Sequence, residues 1–153
     1  MPKKPLHQEL LDEPYRFEFF QAVRLLEKIY PERMPVGREA KIKPEVVRFR
    51  SRVTLNFPAS EVHEFAETFD EFTEEQRLEM FINFMGLVGI SGVLPTHYTE
   101  LVMDRIRYGD TAMWAFLDMF THRAVSLFFS GVGKISFSRR LRTRQRRFYF
   151  VFI

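Results

Sequence analysis

The chain contains no cysteine. A disulfide scaffold is excluded, and with it Cys-ligated zinc, iron–sulfur clusters and thiol catalysis. No apolar run approaches the ~18 residues that a membrane span needs. The N-terminal MPKKPLHQELLDEP starts basic but lacks the apolar stretch of a secretory signal. A cytoplasmic protein is therefore expected. Tryptophan occurs once, whereas 18 residues are Phe. That excess points to a ring-packed core or an aromatic contact surface. The 153 residues make one domain's worth of chain, with 46% apolar and 28% charged residues, ordinary for a globular fold.

Acidic residues are missing from 134–153, which hold Lys134, Arg139, Arg140, Arg142, Arg144, Arg146 and Arg147. With those seven set aside, sixteen cations face twenty acids, so the rest of the chain is net acidic. The overall charge of +3 belongs to the tail. Its interleaved Phe148, Tyr149 and Phe150 would suit single-stranded nucleic acid or an anionic membrane.

Residues 1–13 read as a polar lead-in. Pro14 is expected to open a helix whose broad apolar face carries Phe17, Phe19, Phe20, Val23, Leu25, Leu26 and Ile29. Pro31–Pro44 is a proline-rich loop. From Val47 to Phe57 the odd positions are mostly apolar and the even ones are Arg48, Arg50, Arg52, Thr54 and Asn56. This period of two predicts one strand, or a bent pair. Residues 60–75 fit either a helix or a strand, and the strand is favoured. Leu78, Met80, Ile82 and Phe84 alternate with polar residues as a further strand. After the glycine turn GLVGISG, Pro95 opens a helix that Gly109 ends. Asp110 is placed to cap the next helix, Thr111–Phe129, with Trp114, Leu117, Phe120, Ala124, Leu127 and Phe128 as core candidates. The fold class is α+β: an N-terminal helix, a small antiparallel sheet, two consecutive helices and an irregular tail.

No enzyme constellation emerges. The glycine turn sits where phosphates bind, but its G-x-x-G-x-x-G spacing is not the dinucleotide fingerprint, and a tight strand–helix connection is favoured. Gly131-Val132-Gly133-Lys134 resembles the end of a P-loop but has Phe128 and Ile135 where Gly and Ser/Thr belong. His97, Glu100 and Asp104 share one helix face, and Asp118 and His122 are an i, i+4 pair. Neither set alone makes a metal site, so surface pairing or capping is expected, and no cofactor is implied. Arg48, Arg50 and Arg52 repel one another unless countered. They form either a wet sheet face paired with Glu79 or Glu45, or a docking face for an acidic partner.

Four segments resemble one family: EPYRFEFFQAVRLLE (13–27), PEVVRFRSRVTLNFPASEV (44–62), FMGLVGISGVLPTHYTEL (84–101) and FLDMFTHR (116–123). They are similar to TssG, also called ImpH, a baseplate subunit of bacterial type VI secretion systems. The resemblance implies structural work without catalysis, in a cytoplasmic wedge with TssF and TssE that links to TssK and surrounds the spike hub. It gives Arg48, Arg50, Arg52, Phe17 and Phe20 a use as protein contacts. A small nucleic-acid-binding module acting through the tail is the alternative.

The motif resemblance ends near Phe129, and TssG-like proteins are about twice this long by the same resemblance. The expected division is therefore 1–129, an incomplete TssG-like region, and 130–153, a basic aromatic tail. A family-like A-W-E-K-Y-R-F-P-V-A-Y-E segment, suitably encoded and read one base early, yields G-V-G-K-I-S-F-S-R-R-L-R-T, which is Gly131–Thr143. A frameshifted, truncated TssG is the corresponding expectation.

Overall fold

The computed structural model describes residues 5–37, 45–70 and 75–149, with 134–149 as backbone. Among the described residues there are four α-helices and three strands. These are α1 (Leu6–Asp12), α2 (Phe19–Ile29), β1 (Arg48–Ser51), β2 (Val62–Asp70), β3 (Glu75–Ile82), α3 (Thr96–Arg107) and α4 (Ala112–Tyr149). The α+β class holds. The rest of the Pro31–Pro44 loop, Phe72 and Phe150 lie outside the described residues.

The sheet order is β1-β3-β2. β2 pairs antiparallel with β3, and β1 pairs parallel with it, Phe49 opposite Met80 and Ser51 opposite Ile82. The sheet is thus mixed, where an antiparallel one was expected. The period of two gives the face of each residue but not the direction of its neighbour. The segment 52–61 turns the chain, so β2 runs opposite to β1. β3 then inserts between the two and comes out parallel to β1.

The alternation from Val47 to Phe57 spans more chain than the strand it contains. β1 is only four residues long. Arg52 N–H still donates to Ile82 O at 3.3 Å, and the chain then leaves the ladder to lie against the glycine turn. Gly89 has φ +95°, and a Cβ there would sit 2.6 Å from Arg52 O. Only glycine allows this approach without strain. The turn faces carbonyl oxygens of Arg52 and Thr54, and Gly89 N–H is taken by Thr99 Oγ1 at 3.1 Å. Carbonyls repel a phosphate, so the turn is a connection.

The first helical segments also differ from the expected ones. α1 lies within the supposed lead-in, and Pro14 opens a three-residue 3-10 turn. Phe17 and Glu18 are extended, and α2 starts at Phe19, whose N–H donates to Glu61 Oε2 at 2.9 Å. A carboxylate at a helix N-terminus meets both an orphan donor and the positive dipole end. This cap comes from 42 residues away, which no local pattern reveals.

The pause at Phe17–Glu18 turns both Phe17 and Phe19 inward. Phe19 is the hub of the core. Its ring centroid lies 5.3 Å from that of Phe20, 5.5 Å from Phe49, 4.8 Å from Phe84 and 6.2 Å from Phe129. Leu10, Val23, Leu26, Val62, Leu78, Met80, Ile82 and Val125 complete this cluster. A smaller cluster of Val88, Val102 and Leu117 joins α3, α4 and the glycine turn.

α4 departs furthest from its reading. Gly109, at φ +82°, stops α3, and the Asp110 carboxylate accepts from Ala112 N–H at 3.0 Å, as expected. Backbone then stays helical through Gly131–Lys134 to Tyr149, so the tail is not irregular and the P-loop-like tetrapeptide is no loop. The buried row is Leu117, Asp118, Thr121, Val125, Ser126 and Phe129. Of the expected core residues, Phe120, Ala124, Leu127 and Phe128 are exposed instead. Phe19→Ala is expected to cost ~4 kcal/mol in denaturant unfolding. Phe120→Ala, on the outer side of α4, should cost under ~1 kcal/mol in the same measurement.

Candidate functional site

Four side chains on α4, spaced by four residues, reach the outer edge of β1 and the loop before it. Trp114 Nε1–H donates to Ser51 O at 3.3 Å. Asp118 Oδ1 accepts from Ser51 N–H and Ser51 Oγ–H, both at 3.0 Å. His122 Nδ1 accepts from Phe49 N–H at 3.1 Å. Ser126 Oγ–H donates to Glu45 Oε2 at 3.3 Å. The spacing follows from geometry: four helical residues rise ~6 Å, as far as two residues of a strand. A helical stripe can therefore satisfy alternate backbone groups of an edge strand, as a neighbouring strand would.

Arg50, between the two bonded residues, points to the other face. Its Nε donates to Asp118 Oδ2 and its Nη1 to Glu79 Oε2, both at 2.9 Å. Trp114 covers the guanidinium, with Cζ 3.8 Å from the ring centroid, and Phe81 flanks it at 5.8 Å. Burial opposes the charge on Arg50, but the hydrogen bonds and charges of Glu79 and Asp118 raise its pKa still further. Burial likewise pushes the Asp118 carboxyl up, and the Ser51 N–H and Arg50 pull it back. Asp118 is fully buried. The expectation of surface pairing for Asp118 and His122 is thus corrected, because their partners are a strand edge and a buried arginine.

His122 accepts a backbone N–H at Nδ1, so its proton resides on Nε2. Burial, reinforced by the positive charges of Arg48, Arg123 and Arg77, lowers its pKa from 6.5 to about 4. The 3.6 Å approach of Nε2 to Glu45 Oε2 is therefore no ion pair at neutral pH. Burial raises the Glu45 carboxyl, against hydrogen bonds from Gly37 N–H and Ser126.

The three arginines of the sequence pattern are separated. Arg50 is locked inside, with Glu79 as the partner named in the wet-face reading. Arg48 stands opposite Glu79 in the ladder and is half-buried, and Arg52 lies beyond the end of β1, half-buried as well. Phe17 is buried, and Phe20 is partly buried, stacked against Phe129 at 5.8 Å. Both rings serve the core of this chain. On α3, His97 packs on Tyr98 and Asp104 pairs with Arg107, so the helix-face trio does not converge. Among the described residues no group of three His, Asp or Glu side chains could hold a metal. Ser126 and His122 both approach Glu45, not each other, so the three do not line up as a Ser–His–acid relay. Trp114 packs against the smaller core cluster, as expected of a core candidate, and its bond to Ser51 O is additional. Ser51 and Ser126 are not expected at the site from sequence, although polar groups at four-residue steps inside an apolar helix are a visible signal.

Chemically the site fastens a helix to a sheet, and large apolar groups are left outside. Phe116, Met119, Phe120 and Leu127 are each about half exposed along α4, and Phe57 and Val93 are exposed on the loops. Exposed apolar groups of this kind are what contacts with other chains commonly use, and the site itself is a structural fastening. The family model described as "Type VI secretion, TssG" matches residues 13–151, and the chain belongs to this family. TssG proteins are structural components of the type VI secretion baseplate. The match continues beyond Phe129 through the basic stretch. No curated protein and no solved structure matches the chain.

Two outcomes test the site. Asp118→Ala leaves the Ser51 N–H and the Arg50 Nε–H without their acceptor while Glu79 still holds Nη1, and is expected to cost about 3 kcal/mol in denaturant unfolding. The second concerns pH. Between about 4 and 6.5 the unfolded chain takes up a proton at His122 that the folded chain refuses. Its contribution is complete above pH 6.5 and falls with acidification, at ~1.4 kcal/mol per pH unit within that window. His122→Gln should lack this portion of the slope, whereas the raised carboxyls of Glu45 and Asp118, which act in the opposite sense, remain in both proteins.

Proposed function

We infer that this chain acts as a bridging subunit of the baseplate wedge, contacting TssF and TssE through one surface and TssK through another. The observation that carries this reading is the presence of two unpartnered apolar surfaces on different elements. One is the outward row of α4. The other lies on the loops, where Phe57 after β1 is 91% exposed and Ile90 and Val93, in and just after the glycine turn, are exposed as well. A bridge needs at least two surfaces, and large exposed apolar patches mark contact sites. Aromatic residues that insert into a partner commonly carry most of the binding energy. Arg48 and Arg52, half-buried on and just beyond β1, could supply charge at the second surface.

In this reading the work is done on the cytoplasmic side. Among the described residues no helix is long and apolar enough to cross a membrane. Residues 130–153 are given no part in the bridge. The charge step at Lys134 and the codon arithmetic favour a shifted frame there, whereas the family match to residue 151 favours a native one.

Co-expression with TssF should raise the soluble yield of the chain and recover the two together. Phe57→Glu with Val93→Glu should lose one partner, and Phe116→Glu with Phe120→Glu a different one, with the melting temperature kept in both. Unchanged yield without co-purification, or both variants retaining every partner, would count against the bridge.

A further inference from the structure

We propose that the outward face of α4 is the seat of a partner helix that is itself acidic and amphipathic. The proposal deepens the bridging reading and rests on it for the existence of a partner. α4 has two apolar sides: its inward stripe mixes Leu117, Val125 and Phe129 with Asp118, Thr121, His122 and Ser126, and Phe116, Met119, Phe120 and Leu127 remain exposed on the other side. Phe116, Phe120, Arg123 and Leu127 follow at steps of four, three and four. That alternation is the seam spacing by which one helix packs along another. The Phe116 and Phe120 rings meet edge to face at 5.2 Å, so the start of the seam is already ordered.

Charge decides the occupant. Arg123 is exposed within the seam, between Phe120 and Leu127. The only carboxylate on all 38 residues of α4 is Asp118, and it is buried beneath Arg50. A second copy of this seam would therefore bring another Arg123 and more rings, with no acid to meet the guanidinium. A helix with an apolar stripe bordered by Glu or Asp satisfies both the rings and the guanidinium.

The test uses the full chain and two synthetic amphipathic peptides. Both carry the same leucine stripe, bordered in one by glutamates and in the other by lysines. Fluorescence anisotropy should show the glutamate peptide binding at least ~tenfold more tightly, with the preference shrinking as salt rises. Arg123→Glu, at an exposed position, should narrow or reverse the preference, and Phe120→Glu with Leu127→Glu should abolish binding of both peptides. Circular dichroism checks folding, and Arg123→Glu keeps the test decisive should the double variant unfold. Equal binding of the two peptides, or binding of neither, overturns the proposal. So does concentration-dependent self-association that Phe120→Glu removes, since the seat would then take a second copy. Failure here with TssF and TssK still recovered sinks only this inference, whereas loss of both partners from the unaltered chain sinks the bridging reading.

Discussion

The architecture depends on one constraint: β1 must have its outer edge hydrogen-bonded, and a helix does this in place of a strand. β1 is four residues long and pairs with β3 on one side only. Its other side would leave the N–H groups of Phe49 and Ser51 without partners in a closed interior. His122 and Asp118 accept those two hydrogens. Because the match of helical rise to strand rise fixes the register, α4 has little freedom to slide or roll. Asp118, His122 and Ser126 are thereby committed inward beside Val125 and Phe129, and Phe116 and Phe120 outward.

Arg50 follows from the same commitment. Asp118, drawn inside to serve Ser51, brings a negative charge that burial alone would penalise. Arg50 and Glu79 complete a cluster of one cation and two carboxylates, with Trp114 as its lid. Such a cluster contributes more to uniqueness than to net stability, because a wrong register of β1 against β3 would separate charges that have no water to turn to.

Much of the fold is legible in the sequence, and the losses have physical causes. The alternation of Leu78, Met80 and Ile82, the proline before α3 and the glycine after it are local signals, and the structure keeps them. The start of α2 is not local, since its cap is Glu61. The inner face of α4 is not the one its largest apolar residues suggest. Phe120 and Leu127 are large and outside, whereas Asp118 and Ser126 are polar and inside. The rule that fails there assumes a helix packing on side chains alone, whereas α4 packs partly on the backbone edge of β1. For the candidate contacts, the arginine alternation was visible, but nothing in it distinguished Arg50, which meets two carboxylates, from Arg48 and Arg52.

The edge-covering arrangement also bears on aggregation. A sheet of three strands has two rims, and each is a template on which a foreign strand can grow. α4 occludes the rim at β1. The rim at β2 carries exposed Glu64 and Glu67 and an irregularity between Val62 and Glu64. Negative charge and a local bulge both oppose edge-to-edge polymerisation. The exposed phenylalanines of α4 and of the loop after β1 thus lie off the sheet, and Phe69 on β2 is exposed on a strand whose charge and bulge oppose fibre growth.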